Sequence, residues 1–193
     1  MNSIFVNRII RACKLDTSLY EEVEADKSAT LQAALVVILS SLAAGVGALS
    51  LGASNFLMAP ILSLVSWYIW AYLIYFIGAK LFPEPNTKAD HGQLLRTIGF
   101  SSAPGLIRVF GFTPDLMSIT FIGAGLWMLV AMVIAVRQAL DYQGPFRITF
   151  LSFNIITFEG VTGATLRSIV VVITGFVIQA VVLVMLLSFF TPS

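Results

Sequence analysis

Charge is what this sequence has least of. Of its 193 residues, 11% are Asp, Glu, Lys or Arg and 58% are apolar. An average soluble domain carries about 25% charge. A globule of this size covers its surface with polar groups, and this chain has too few. An ordinary soluble enzyme and a disordered chain are therefore excluded. The net charge of +1 leaves no basic footprint for nucleic acid. A single cysteine, Cys13, excludes a disulfide framework and a cysteine-built metal site. The lone histidine, His91, stands beside Asp90 in a stretch that reads as surface loop. No Gly-rich phosphate loop occurs, because Gly45-Val46-Gly47 and Gly123-Ala124-Gly125 sit inside apolar runs. Enzyme chemistry, cofactors and metals are accordingly not expected.

What is present is long uncharged sequence, with a mean hydropathy of +0.94. Ser28–Ala79 holds 52 residues without a charge, Leu116–Val136 holds 21 and Ser168–Ser193 holds 26. A membrane-crossing helix needs about 20 such residues. The first run breaks at Gly52-Ala53-Ser54-Asn55, giving expected spans at 29–51 and 56–82. Later spans are expected at 117–138 and 166–190. Leu94–Phe112 is apolar but carries Arg96 and Arg108 and is interrupted by Gly99, Pro104 and Gly105. It reads either as a broken span or as a re-entrant piece.

Basic residues accumulate in cytoplasmic loops, which decides the matter. If 94–112 crosses, ten of the eleven Lys and Arg lie inside and only Arg108 lies outside. If it does not cross, the split falls to 8 to 3. The expected fold is therefore all-α: a polytopic bundle of five transmembrane helices, amino terminus in and carboxyl terminus out. Residues 1–28 form a cytoplasmic amphipathic helix and an acidic connector, and residues 29–193 the membrane domain. The first span, preceded by a charged stretch, is expected to direct insertion without a cleaved signal.

Residues 2–15 put Phe5, Val6, Ile9, Ile10 and Cys13 on one helical face and Asn7, Arg8, Arg11 and Lys14 on the other. Such a helix lies on an anionic leaflet or packs on the protein's own cytoplasmic face. The acidic run Asp16, Glu21, Glu22, Glu24 and Asp26 reads as a solvated connector. In the first span, Ser40, Ala44, Ala48 and Gly52 recur every fourth position, a pattern that lets another backbone approach. Tyr68, Tyr72 and Tyr75 share a face of the second span and are expected in packing and an interfacial belt.

The candidate polar site is the broken third span: Arg96, Ser101, Ser102, Pro104, Arg108 and the nearby Asp115. Pro104 frees a carbonyl that Ser101 or Ser102 can satisfy. Broken helices often line sites in transporters. The favoured reading here is a kinked structural helix, its arginines snorkelling to the two interfaces, with Asp115 placed to pair with Arg108. Residues 144–164 alternate apolar and polar side chains, which suggests strand. They are read as an interfacial docking element carrying Phe146, Phe150, Phe153 and Phe158.

The chain resembles the bacterial branch of the Yip domain family of five-span membrane proteins over roughly residues 8–142 and 165–190. The likeness is carried by Leu15-Asp16, Tyr20-Glu21-Glu22-Val23-Glu24, Gln32-Ala33, the run Leu95-Arg96-Thr97-Ile98-Gly99-Phe100-Ser101-Ser102-Ala103-Pro104-Gly105, Trp127, the exit Ala135-Val136-Arg137-Gln138-Ala139-Leu140-Asp141-Tyr142, and Leu166-Arg167-Ser168-Ile169. The aromatic insert departs from the family pattern, in which the fourth helix runs almost directly into the fifth. The resemblance implies a non-enzymatic scaffold, adaptor or membrane-shaping protein in the bacterial inner membrane. Its partners would be the bilayer and a homo- or hetero-oligomer. The alternative is a small transporter or channel with its site at the broken span.

Overall fold

A computed structural model describes residues 3–49, 58–83, 87–143, 146–150, 153–158 and 160–190. Of these, Met58, Pro114, 146–150, 153–158, 160–162 and 182–190 are described by backbone alone. The architecture is almost wholly helical, and four helices are long and apolar enough to cross a membrane.

Two short helices come first, α1 (Ser3–Cys13) and α2 (Thr17–Ala25). The long apolar helices are α3 (Ala29–Gly47), α4 (Met58–Tyr75, continued by a π turn, Phe76–Leu81), α6 (Pro114–Ala139) and α7 (Gly160–Phe190). Between α4 and α6 lie α5 (His91–Ser101) and a 3-10 segment (Ala103–Phe110). Strands β1 (Phe146–Phe150) and β2 (Phe153–Phe158) pair antiparallel between α6 and α7, with Phe146 opposite Phe158 and Phe150 opposite Phe153. Each strand thus finds its backbone partner in the other, which a lone strand lacks. The side chains of the four candidate docking phenylalanines lie outside the described residues.

Apolar side chains face outward along the long helices. Ile61, Leu62, Val65 and Ile69 on α4, Ile119, Ile122 and Leu126 on α6, and Ile173 and Val177 on α7 are all exposed. In water such a surface drives association, whereas in hydrocarbon it is the expected exterior. By contrast α5 is buried on every side from Leu94 to Ser101. Covered on every side, α5 lies in the middle of the bundle, and its buried polar groups Arg96, Thr97 and Ser101 bond to backbone carbonyls.

The broken element runs beside α3 in the same direction, as three close approaches show. A β-carbon on Gly99 would meet that of Ala33 at 2.7 Å, one on Gly105 would meet Ser40 Oγ at 2.1 Å, and one on Gly47 would meet the Arg108 carbonyl at 1.9 Å. At the end where α5 starts, Leu140 after α6 packs against Gly78 of the π turn. The Tyr142 hydroxyl donates to the carbonyls of Gly78 and Phe82, each at 2.9 Å. The quoted α6 exit is therefore a latch: Asp141 turns the chain at a positive φ of 51°, and Leu140 and Tyr142 grip α4.

The buried face of α3 is Ala29, Ala33, Val36, Ser40, Ala43 and Gly47. Within the chain, this buried face is offset by part of a turn from the stripe of Ser40, Ala44 and Ala48. Ser40 does make the contact, but Ala44 and Ala48 are half-buried and line a cavity instead, and Gly52 lies outside the described residues. The physical reason is Gly47, which alone tolerates a carbonyl at that distance.

On the face where α3 begins, α1 and α2 fold back on the bundle. The face that α1 buries is Phe5, Arg8 and Ala12, so the expected amphipathic split is rotated. Arg8 is drawn inward because the acidic run doubles back on it. Its Nε donates to Glu22 at 2.8 Å, Nη2 to Asp26 at 2.8 Å and Nη1 to Gln32 Oε1 at 3.0 Å. Arg11 bonds Asp16 at 2.7 Å and also Glu22. The acidic run is a set of clamps, not a solvated connector.

Candidate functional site

The six residues expected to share one polar site are divided by the fold. Arg96, 5% exposed, points to the layer formed by α1 and α2, where its Nε donates to the Val23 carbonyl at 2.8 Å and Nη2 donates to that of Glu24. It closes the carboxyl end of α2, whose last carbonyls have no helical partner. Ser101 is buried and returns its hydroxyl to the Ile98 carbonyl at 2.7 Å. Pro104 opens the 3-10 segment, where its missing N–H costs nothing. Asp115 is exposed in the first turn of α6.

Arg108 does not pair with Asp115, and it does not snorkel outward. Its Nη2 donates to Ser40 Oγ at 2.8 Å and its Nε to the Gly105 carbonyl at 3.0 Å, with the guanidinium 5.8 Å from the Phe121 ring centre. Ser40 lies about 16 Å along α3 from Ala29, half the thickness of a ~30 Å hydrocarbon core. The side chain bends back to this depth because Gly105 leaves the space. A β-carbon there would stand 2.6 Å from Arg108 Nη2.

The guanidinium opens on a cavity of about 540 Å³. Its walls come from α3, α4, α5, the 3-10 segment, α6 and α7, and include Ser102, Ser66, Trp67, Trp70 and Gln179. No carboxylate is among the lining residues. The hydroxyls of Ser41 and Ser63 are spent on their own helix, at the carbonyls of Ile38 and Pro60. Both indole N–H groups are spent as well, Trp67 on the Leu95 carbonyl at 3.0 Å and Trp70 on Met132 Sδ at 3.2 Å. The side chains of Ser66, Ser102 and Gln179, and Arg108 Nη1, make no hydrogen bond among the described residues. Three unspent polar side chains and one positively charged guanidinium thus line the same space.

A second cavity of about 460 Å³ lies between α4 and α7. It is apolar, lined by Ile69, Tyr72, Leu73, Phe76 and Ile178, and it shares Ser66, Trp70 and Gln179 with the first.

The three tyrosines of α4 surround His91, with ring centres at 4.9 Å from Tyr68, 5.5 Å from Tyr72 and 6.5 Å from Tyr75. His91 is thus half-buried against rings instead of lying in open loop. It is fixed there by the capping box of Asp90 and Gln93.

Sequence reasoning missed Ser66, Gln179, Trp67 and Trp70 as lining residues. The available signal was polarity in the wrong place: Gln179 is the sole amide in the uncharged run from Ser168.

No family model matches the chain, and no curated protein or solved structure matches it.

Proposed function

We propose that this chain is a non-enzymatic, five-pass membrane protein that holds a small ligand in a chamber beside its broken third pass, as a small transporter or channel does. The observation that carries the reading is Arg108, held by Ser40 at mid-membrane depth and facing a cavity without a carboxylate. Placing an arginine there costs about 3 kcal/mol on insertion scales, and such residues mark ligand and ion pathways.

Five passes are supported by length and direction. An 11-residue helix and an 8-residue 3-10 segment together reach about 32 Å, enough to cross. Arg8, Arg11, Lys14, Lys27, Lys80, Lys88, Arg96, Arg137, Arg147 and Arg167 then fall on the side of α1, which supports an amino terminus in the cytoplasm. The Yip-domain likeness agrees with this plan and suggests the bacterial plasma membrane.

The test is thiol labelling with Cys13 replaced. Ser102→Cys faces the chamber and is expected to react with a membrane-impermeant reagent, whereas Ser101→Cys, packed and bonded, is not. Equal protection of both contradicts a solvent-connected chamber.

A second reading, the scaffold or adaptor, is favoured by the outer side of α1. Ile4, Val6 and Ile10 are exposed there beside Lys14, a surface suited to an anionic leaflet or a partner.

A further inference from the structure

The chamber and the groove between α4 and α7 differ in chemistry and touch each other. One holds a guanidinium and unspent donors from Ser66, Ser102 and Gln179. The other is apolar and borders the bilayer through Ile69, 60% exposed, and Phe76, 46% exposed. Ser66, Trp70 and Gln179 belong to both. A ligand with one negative charge and an apolar tail satisfies both spaces at once. A free anion leaves the groove unexplained, and a neutral tail leaves Arg108 uncompensated.

Resting on the chamber reading above, we propose that the paired cavities hold an acidic lipid, its headgroup against Arg108 and its acyl chain in the α4–α7 groove. One guanidinium balances one negative charge, as a phosphodiester carries. Ser66, Ser102 and Gln179 supply the remaining hydrogen bonds to headgroup oxygens. The chain enters from the bilayer side, so this ligand reaches the chamber without crossing water. Trp70, 8% exposed, with its ring centre 4.6 Å from that of Phe176 and tilted 46° to it, stands at the shared wall and separates head from tail.

The experiment titrates the purified full chain in neutral detergent with phosphatidylglycerol, phosphatidylcholine or glycerol 3-phosphate, read by native mass spectrometry and thermal midpoint. Phosphatidylglycerol is expected to bind at least about tenfold more tightly than either alternative. Arg108→Gln is expected to abolish the preference over phosphatidylcholine. Ile69→Trp fills the groove from an exposed position and is expected to weaken phosphatidylglycerol binding about tenfold, without affecting glycerol 3-phosphate. This variant keeps the test decisive if Arg108→Gln does not fold. Glycerol 3-phosphate binding as tightly as phosphatidylglycerol overturns the lipid and leaves the chamber reading standing. Equal binding of both lipids, unchanged by Arg108→Gln, overturns the charge selection. Binding of none of the three overturns both the lipid and the chamber.

Discussion

Two kinds of glycine show how single residues set this architecture. Gly105 lets Arg108 reach Ser40, while Gly123 and Gly125 on α6 have nothing within 4 Å of an added β-carbon. Gly105→Ala is expected to destabilise the protein by about 1–3 kcal/mol through overpacking. Gly123→Ala is expected to be neutral or slightly stabilising. Thermal unfolding in detergent separates them, and equal midpoints contradict the Ser40–Arg108 contact. Glu24 gives a pH-dependent counterpart outside the bundle. Burial raises its carboxyl to about 7, helped by Asp141, Glu21 and Asp90 and opposed by Arg96, while its Oε1 accepts from Gln93 at 2.9 Å. The folded state then holds a proton that the unfolded state releases near pH 4.5. Stability from this group is present below that pH and is lost as pH rises toward 7. Glu24→Gln is expected to flatten the fall in thermal midpoint across this window, and an unchanged slope contradicts the assignment. The sequence singled out Arg108 and Ser102 as candidates, and both line the cavity. Their separation from Arg96 was not legible there, because it depends on α2 folding back to offer the Val23 and Glu24 carbonyls.

At the scale of elements, uncharged length located the long helices closely. The expected spans at 56–82, 117–138 and 166–190 correspond to Met58–Leu81, Pro114–Ala139 and Gly160–Phe190. Membrane helices satisfy their own backbone, so composition alone marks them. Which face packs is a different matter, because small residues recur on more than one side of α3. Gly47→Ala drives a β-carbon into the Arg108 carbonyl and is expected to cost at least as much as Gly105→Ala, because backbone yields less than a side chain. Ala44→Leu projects into the cavity instead. It is expected to keep the stability within about 0.5 kcal/mol of wild type while protecting Ser102→Cys from labelling. A large loss of stability would restore the expected Ala44 contact. The strands β1 and β2 pair with each other, with a break in register between Ile148 and Thr149, and not with the helices. Replacing 146–158 with a short Gly-Ser linker is therefore expected to leave the bundle folded and to weaken self- or partner association. Unfolding on replacement makes the hairpin part of the core, and unchanged association removes its docking role.

For the whole molecule, the broken element of α5 and the 3-10 segment organises everything else. It packs between α3, α4 and α6, carries the cation that faces the cavity and, through Arg96, ties the α1–α2 layer to the bundle. The sequence showed this element as an interruption, with Pro104 and two arginines in an apolar run. It did not show the chamber, which exists only where α3, α4 and α7 converge on the break. The central claim is that this element crosses the membrane. It is tested most directly by Lys88→Cys and Asp115→Cys, placed singly in a chain without Cys13 and labelled from outside intact cells with an impermeant thiol reagent. The five-pass account predicts that Asp115→Cys reacts at once and Lys88→Cys only after permeabilisation. Reaction of both from the same side would make the segment re-entrant and contradict it.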